Sequence, residues 1–295
     1  MGVDQSIQLE TTLFNFAIGL YLVSMVLYLV FFIGKIEKPG EFGSYLIKGG
    51  FLLHTAALIV RWFEAGRIPL SNQYEFATAF AWGIVLCFII FELKFGYKAM
   101  GTFVTPIAFL IMGYAAMQSK DIRPLMPALQ SNWLSLHVGT AVIGYGAFGV
   151  AAGVSLMYLL RNQFRNSPFV RKHLPDLITL DLISYRAIAL GFFFLTLVIV
   201  TGAIWAEQAW GRYWAWDPKE TWSLITWIIY AVYLHARIMR GWQGKKAALF
   251  SVIGFICVLF TYIGVNTLLP SIHSYALLVP FSLLFPPKKG YNNRI

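Results

Sequence analysis

Eight stretches of almost unbroken apolar residues divide the chain, separated by polar, Gly- and Pro-bearing breaks. They run over 12–33, 46–64, 74–93, 100–117, 134–160, 184–206, 219–238 and 248–269. Each approaches the ~20 residues that a helix needs to cross a hydrocarbon core. The apolar positions do not alternate as they would in the strands of a membrane barrel. Backbone groups in lipid must be satisfied within the segment, so each run predicts an α-helix. The pattern gives an all-α polytopic membrane protein with about eight transmembrane helices, forming a single integral domain over 1–295. The polar breaks carry helix-start signals. Asn72 with Glu75 three residues on reads as a capping box opening the third span. Asn132 is placed to cap the fifth. Asp217-Pro218-Lys219-Glu220 supplies an N-cap, a Pro at the first helical position and a Glu at the third, opening the seventh. The tail 286–295, Pro-Pro-Lys-Lys-Gly-Tyr-Asn-Asn-Arg-Ile, has no apolar period and is expected to be mobile.

Composition agrees with a membrane solvent. Of 295 residues, 58% are hydrophobic and 12% charged, half the charged share of a soluble domain, which excludes a soluble globule and a disordered chain. The formal charge of +10 reads as loop charge rather than as a nucleic-acid surface. Of the 23 Lys and Arg, 14 fall on one set of loops and 9 on the opposite set. The positive-inside rule then puts both termini, and the loops near 65–73, 118–133 and 205–220, on the outer side. The two cysteines, Cys87 and Cys257, lie in separate apolar runs with no CxxC. Thiol-redox chemistry, a structural zinc site and a c-type haem attachment site within this chain are therefore unsupported.

Five of the ten tryptophans crowd into one external loop, 205–222: Trp205, Trp210, Trp214, Trp216 and Trp222. An interfacial aromatic belt would spread its rings over many helix ends on both faces. Clustering in one loop, interleaved with Gly211, Arg212 and Asp217, also suits a surface for a flat apolar ligand.

The run Trp210-Gly211-Arg212-Tyr213-Trp214-Ala215-Trp216-Asp217-Pro218-Lys219-Glu220-Thr221-Trp222 resembles the tryptophan-rich WWD signature of haem-handling membrane proteins. It is most similar to the CcsA (ResC) family of system II cytochrome c biogenesis. Gly66 to Glu75 resembles that family's first outer loop, and Trp133 to Val138 the histidine-bearing start of its mid-chain helix. Leu180-Asp181 with Tyr185-Arg186, Tyr233 to Arg237, and Ile272 to Tyr275 also match, so the resemblance covers positions from about 50 to 276. It implies haem b as cargo, a CcsB (ResB)-type membrane partner, and an apocytochrome c bearing CxxCH as acceptor. The membrane is then a bacterial plasma membrane or a thylakoid.

Histidines inside or beside a membrane are rare and default to function. His137, near the outer start of span five, and His273, just past the outer end of span eight, flank the tryptophan loop. Two imidazoles at one level would hold a porphyrin iron between them, and the resemblance implies that these are the outer axial ligands. His235 lies ~20 Å deeper along span seven, where the resemblance implies an inner haem ligand whose opposite ligand comes from the partner. His54 lies in the inner half of span two and has two readings, an axial ligand or a polar contact between helices. The expected haem-contacting set is completed by Trp210, Gly211, Trp214, Trp216, Asp217, Trp222 and Arg212. Arg212 and Lys219 are candidates for the haem propionates, and Arg61 is expected to pair with Glu64 at i+3. His173 reads as a solvated loop residue.

Three other functions compete. An electron-transfer cytochrome b pairs histidines on one helix, and no span here carries two. A proton-coupled transporter predicts repeats and broken helices, for which the sequence gives no sign, and it leaves the tryptophan loop idle. A system I haem-delivery protein shares that loop but has six spans or many more than eight.

Overall fold

A computed structural model describes residues 3–34, 36–122 and 124–269. Its long helices are α1 (Val3–Gly34), α2 (Glu37–Ala65), α3 (Gln73–Phe95), α4 (Ala99–Ala116) and α5 (Asn132–Gln163). A short α6 (Pro168–His173) precedes α7 (Leu177–Trp210), α8 (Pro218–Arg240) and α9 (Lys245–Leu259), and α9 continues through a π turn, Phe260–Gly264, into a last turn, Val265–Leu268. Eight of these units are long and apolar enough to cross a membrane, and the described residues contain no strand. The chain is an all-α polytopic membrane protein.

The helices outrun the predicted spans. Span six, expected from 184, starts at Leu177 because Asp176 caps it, its carboxylate accepting from Thr179 N–H at 2.9 Å and Oγ–H at 2.7 Å. Those donors hold the Asp176 carboxyl below the usual carboxylate range. The polar turn at Asp181 is tolerated because its carboxylate meets Arg237 of α8 and accepts from Gly244 N–H at 2.9 Å. Span five is capped by Ser131, whose Oγ accepts from Trp133 N–H at 3.2 Å, and not by Asn132, which is already helical. His173 is half-buried rather than solvated, its Nδ1 donating to Phe169 O at 2.7 Å at the end of α6.

α5 is the hub. It packs most extensively on α7 and also on α3, α4 and α9, while α1 and α2 pair with each other. Close approach of α3 and α5 depends on small residues: a Cβ at Gly83 would strike Val142 O, and one at Gly146 would strike Gly83 O. In lipid, where apolar burial does not drive helices together, such backbone contact supplies the packing energy.

A buried ionic chain ties α1, α2 and α3. Arg61, expected to pair with Glu64, instead points between the helices to Glu75 at 3.1 Å and Glu10 at 3.5 Å, and donates to Lys120 O at 2.8 Å. Glu75 also accepts from Arg67 at 2.9 Å and from Ser71 N–H at 2.9 Å. Only half of the predicted capping box therefore forms: Asn72 accepts from Glu75 N–H at 2.8 Å, while the Glu75 carboxylate is spent on Ser71 and the two arginines.

Candidate functional site

The tryptophan segment is mostly helix. Trp205 and Trp210 end α7, which is closed by Gly211 at φ 71°. Trp222 lies in the first turns of α8, and 211–217 alone form the connection. Two features shape that connection. Asp217 and Glu220 complete a full capping box, Glu220 Oε2 accepting from Asp217 N–H at 3.2 Å and from Ala215 N–H at 2.7 Å. Trp216 then sits at φ 57°, a left-handed backbone that a bulky residue adopts only at a cost of ~1–3 kcal/mol. The strained backbone turns the Trp216 indole outward, leaving it 69% exposed.

Beneath this connection lies a cavity of about 590 Å³. Its walls come from the α2–α3 turn, the 118–129 segment, α5, the end of α7, the start of α8 and the π turn of α9. The floor is apolar and aromatic, formed by Ala141, Tyr145 and Val198. His137 is in its wall, and Tyr145, eight residues along α5, marks a reach of ~12 Å into the bundle. The volume lies within the ~300–1,000 Å³ usual for small-molecule sites.

The His137 ring is held at three points. Its Nδ1 lies 2.8 Å from Val198 O. A carbonyl oxygen can only accept, so Nδ1 carries a proton, and in the neutral ring Nε2 carries the lone pair. Trp205, 2% exposed, lies parallel to the ring at 6.2 Å and 14°. Gly202 makes room, since a Cβ there would fall 2.7 Å from His137 Cε1. An imidazole with its outer N–H engaged and its remaining nitrogen basic is the arrangement that metal-ligating histidines use. Sequence reasoning did not single out Gly202, although the small run Thr201-Gly202-Ala203 directly after the bulky stretch 192–200 signals a close approach.

The other predicted residues separate. Trp205 and Trp214 line the cavity, Trp210 packs edge-on to Trp205 at 6.0 Å, and Trp222 packs on Phe260 at 4.2 Å. Lys219 and Arg67 line the cavity, whereas Arg212 is exposed and does not. The Nε1–H groups of Trp210 and Trp214 are buried with no acceptor among the described residues. His273 and the tail 286–295 lie outside the described residues; Asn266, seven positions before His273, is in the cavity wall.

The two inner histidines are not brought together. His54 is fully buried, with Nδ1 3.1 Å from the Tyr21 hydroxyl, and it lines neither this cavity nor the shallow groove around His235. His235 is exposed on α8, in a groove with Val232, Arg240 and Trp242. Among the described residues no three His, Cys, Asp or Glu converge as a metal site. The cavity thus combines one imidazole with apolar and aromatic side chains and with the charged groups of Arg67, Lys219, Asp121 and Glu220.

Residues 70–273 match the sequence profile of the cytochrome c assembly protein family. The chain is 36% identical over 293 residues to the cytochrome c biogenesis protein CcsA of Guillardia theta, covering 90% of this chain and 97% of that one. It is 37% identical over 285 residues to CcsA of Synechococcus sp. (strain CC9605), covering 87% and 94%. Against CcsA of Chlamydomonas reinhardtii it is 40% identical over 232 residues, 76% of this chain and 65% of that one. Among solved structures the cytochrome c heme lyase CcmF superposes with a TM-score of 0.68 at 17% identity, over 87% of this chain and 46% of that chain, so the two share a fold. Matched along nearly its whole length by proteins of that name, the chain belongs to the CcsA family of cytochrome c assembly proteins.

Proposed function

We propose that this chain receives haem b as cargo and presents it, at the outer membrane face, to an apocytochrome c bearing CxxCH. A part in cytochrome c maturation follows from the family; the presentation step is the reading developed here. The observation that carries it is His137, its Nδ1–H bound to Val198 O and its side chain in the wall of the 590 Å³ cavity beside the tryptophan connection. His273 supplies the opposite axial ligand. By the positive-inside rule, the lower count of basic residues on this set of loops supports an outer orientation for the cavity and for both termini, in a plasma or thylakoid membrane.

In this reading the protein contributes position and electrostatics, while the reactive vinyl groups belong to the haem. His137 and His273 fix the iron, Trp205 and Trp214 the macrocycle. The exposed Trp216 and Tyr213 offer the landing surface for the apocytochrome. Each cysteine thiol adds S–H across one vinyl double bond: a C–S bond forms, the proton goes to the other vinyl carbon, and the incoming CxxCH histidine replaces one axial imidazole. Asp217 and Glu220 act by shaping the connection. His235, on the exposed face of α8, serves the inner haem together with a ligand from a CcsB-type partner, and that face is where the partner packs. His54 serves as a contact between α1 and α2.

The test is co-expression of the chain with a CcsB-type partner and a CxxCH apocytochrome in a host lacking its own c-type maturation. Cytochrome that keeps haem after denaturing electrophoresis is expected only when the chain is present, and the purified chain is expected to show a Soret band. A haem-free chain that yields no cytochrome overturns the reading. A finer prediction concerns Gly202. Gly202→Val is expected to push the His137 ring off Val198 O and lower haem affinity by ~10-fold, the scale for loss of support to a metal ligand. Gly139→Val, where an added Cβ meets nothing within 4 Å, is expected to leave the Soret titration unchanged.

A further inference from the structure

We infer that Lys219 and Trp214 form a carboxylate site in the cavity wall, which takes a haem propionate and sets which edge of the porphyrin faces outward. The inference rests on the haem reading above and adds to it the orientation of the cargo.

Lys219 lines the cavity, and its Nζ donates to Asn266 Oδ1 at 3.2 Å. Among the described residues it forms no ion pair within 4 Å. An ammonium has three donors, so an amide oxygen leaves most of its capacity unused. Its placement is also costly. It lies in the first turn of α8, at the positive end of the helix dipole, where a cation is disfavoured and an anion favoured. Asp217 favours the ammonium through space, but among the described residues neither nearby acid pairs with it directly. The Asp217 carboxylate accepts from the Lys219 backbone N–H, and Glu220 accepts from Ala215 and Asp217.

Trp214 supplies an independent observation. It too lines the cavity, and its buried Nε1–H has no acceptor among the described residues. A buried donor without a partner costs ~1–3 kcal/mol and calls for an explanation. A neutral N–H donor and an ammonium, five positions apart and on one cavity, together suit a carboxylate. Glu220 and Asp121 also line the cavity, but among the described residues neither lies within 4 Å of the Lys219 ammonium and none accepts from Trp214 Nε1, so a carboxylate on the ligand completes the pair. On protoporphyrin the two propionates occupy one edge and the two vinyl groups the other. Anchoring a propionate at Lys219 therefore turns the vinyl edge away from the Lys219 side chain and fixes where, relative to the Trp216 and Tyr213 surface, the thiols must arrive.

The experiment is a Soret-monitored titration of the purified full-length chain with iron protoporphyrin IX and with its dimethyl ester, in wild type, Lys219→Met, Lys219→Arg and Trp214→Phe. Wild type is expected to prefer the diacid by ~10–100-fold, the range for a hydrogen bond to a charged group. Lys219→Met is expected to lose that preference while binding the ester as wild type does. Lys219→Arg is expected to keep it, and Trp214→Phe to reduce it by a smaller factor. A Lys219→Met chain with the wild-type preference overturns the inference. So does equal weakening of both porphyrins, which would assign Lys219 to packing of the connection. If wild type binds neither porphyrin, the haem reading itself falls, a result distinct from binding both without preference.

Discussion

A His137→Ala chain is expected to lose its bound haem and the c-type cytochrome it supports, and to regain the haem when millimolar imidazole is added. The loss should be at least ~100-fold in affinity, the upper end for removing a group that merely supports a metal ligand. Folding should survive the change. His137 is only half-buried, and its ring is one contact among the many along the α5–α7 packing. Free imidazole can occupy the vacated space beside Trp205 and Gly202, with its own N–H on Val198 O. Rescue therefore separates a missing ligand from a collapsed cavity. Unchanged haem content at equal protein level would remove His137 from the site.

The second large effect falls on stability. Glu75→Ala leaves Arg61, 3% exposed, with Glu10 at 3.5 Å, the Lys120 carbonyl and the face of the Tyr74 ring at 5.0 Å. Breaking a buried pair on one side costs ~3–5 kcal/mol because the remaining charge stays buried and poorly compensated. In a detergent-solubilised chain this should lower the thermal midpoint by roughly 10 °C. Glu75→Gln retains acceptors for Ser71 and the guanidinium groups, so its loss should be smaller. The tether also holds Arg67 against the cavity wall, and porphyrin affinity should fall along with stability. A Glu75→Ala chain with the wild-type midpoint would show that the ionic chain does not hold the three helices together.

Much of the architecture was legible because it is written in local pattern. Run length alone locates all eight spans, and Asp217 with Glu220 announces the start of α8 from four consecutive residues. Two of the misreadings share one cause, partners distant in sequence. Arg61 has a local candidate in Glu64, yet its helix face turns it to Glu10, 51 positions away, and to Glu75. Asp181 looks too polar for a span until Arg237, 56 positions on, neutralises it. The site divides the same way. Its histidine and tryptophans stand out by type. That Val198 fixes the His137 tautomer, that Gly202 clears its ring and that Lys219 turns inward depend on which helices α5 touches.

The π turn at Phe260–Gly264 has a consequence for how this helix can evolve. Such a turn accommodates one surplus residue, so everything after it is rotated by ~100° from where an uninterrupted α-helix would carry it. Tyr262, whose hydroxyl donates to Gln73 O at 2.9 Å, and Asn266 reach the cavity in that rotated phase. Removing a single residue there would restore regular winding and swing Asn266 off Lys219, and no change of connection length elsewhere would bring it back. Insertions and deletions should be tolerated between helices and purged from this one, which makes the length of α9 and its continuation as much a constraint on the site as the identity of its residues.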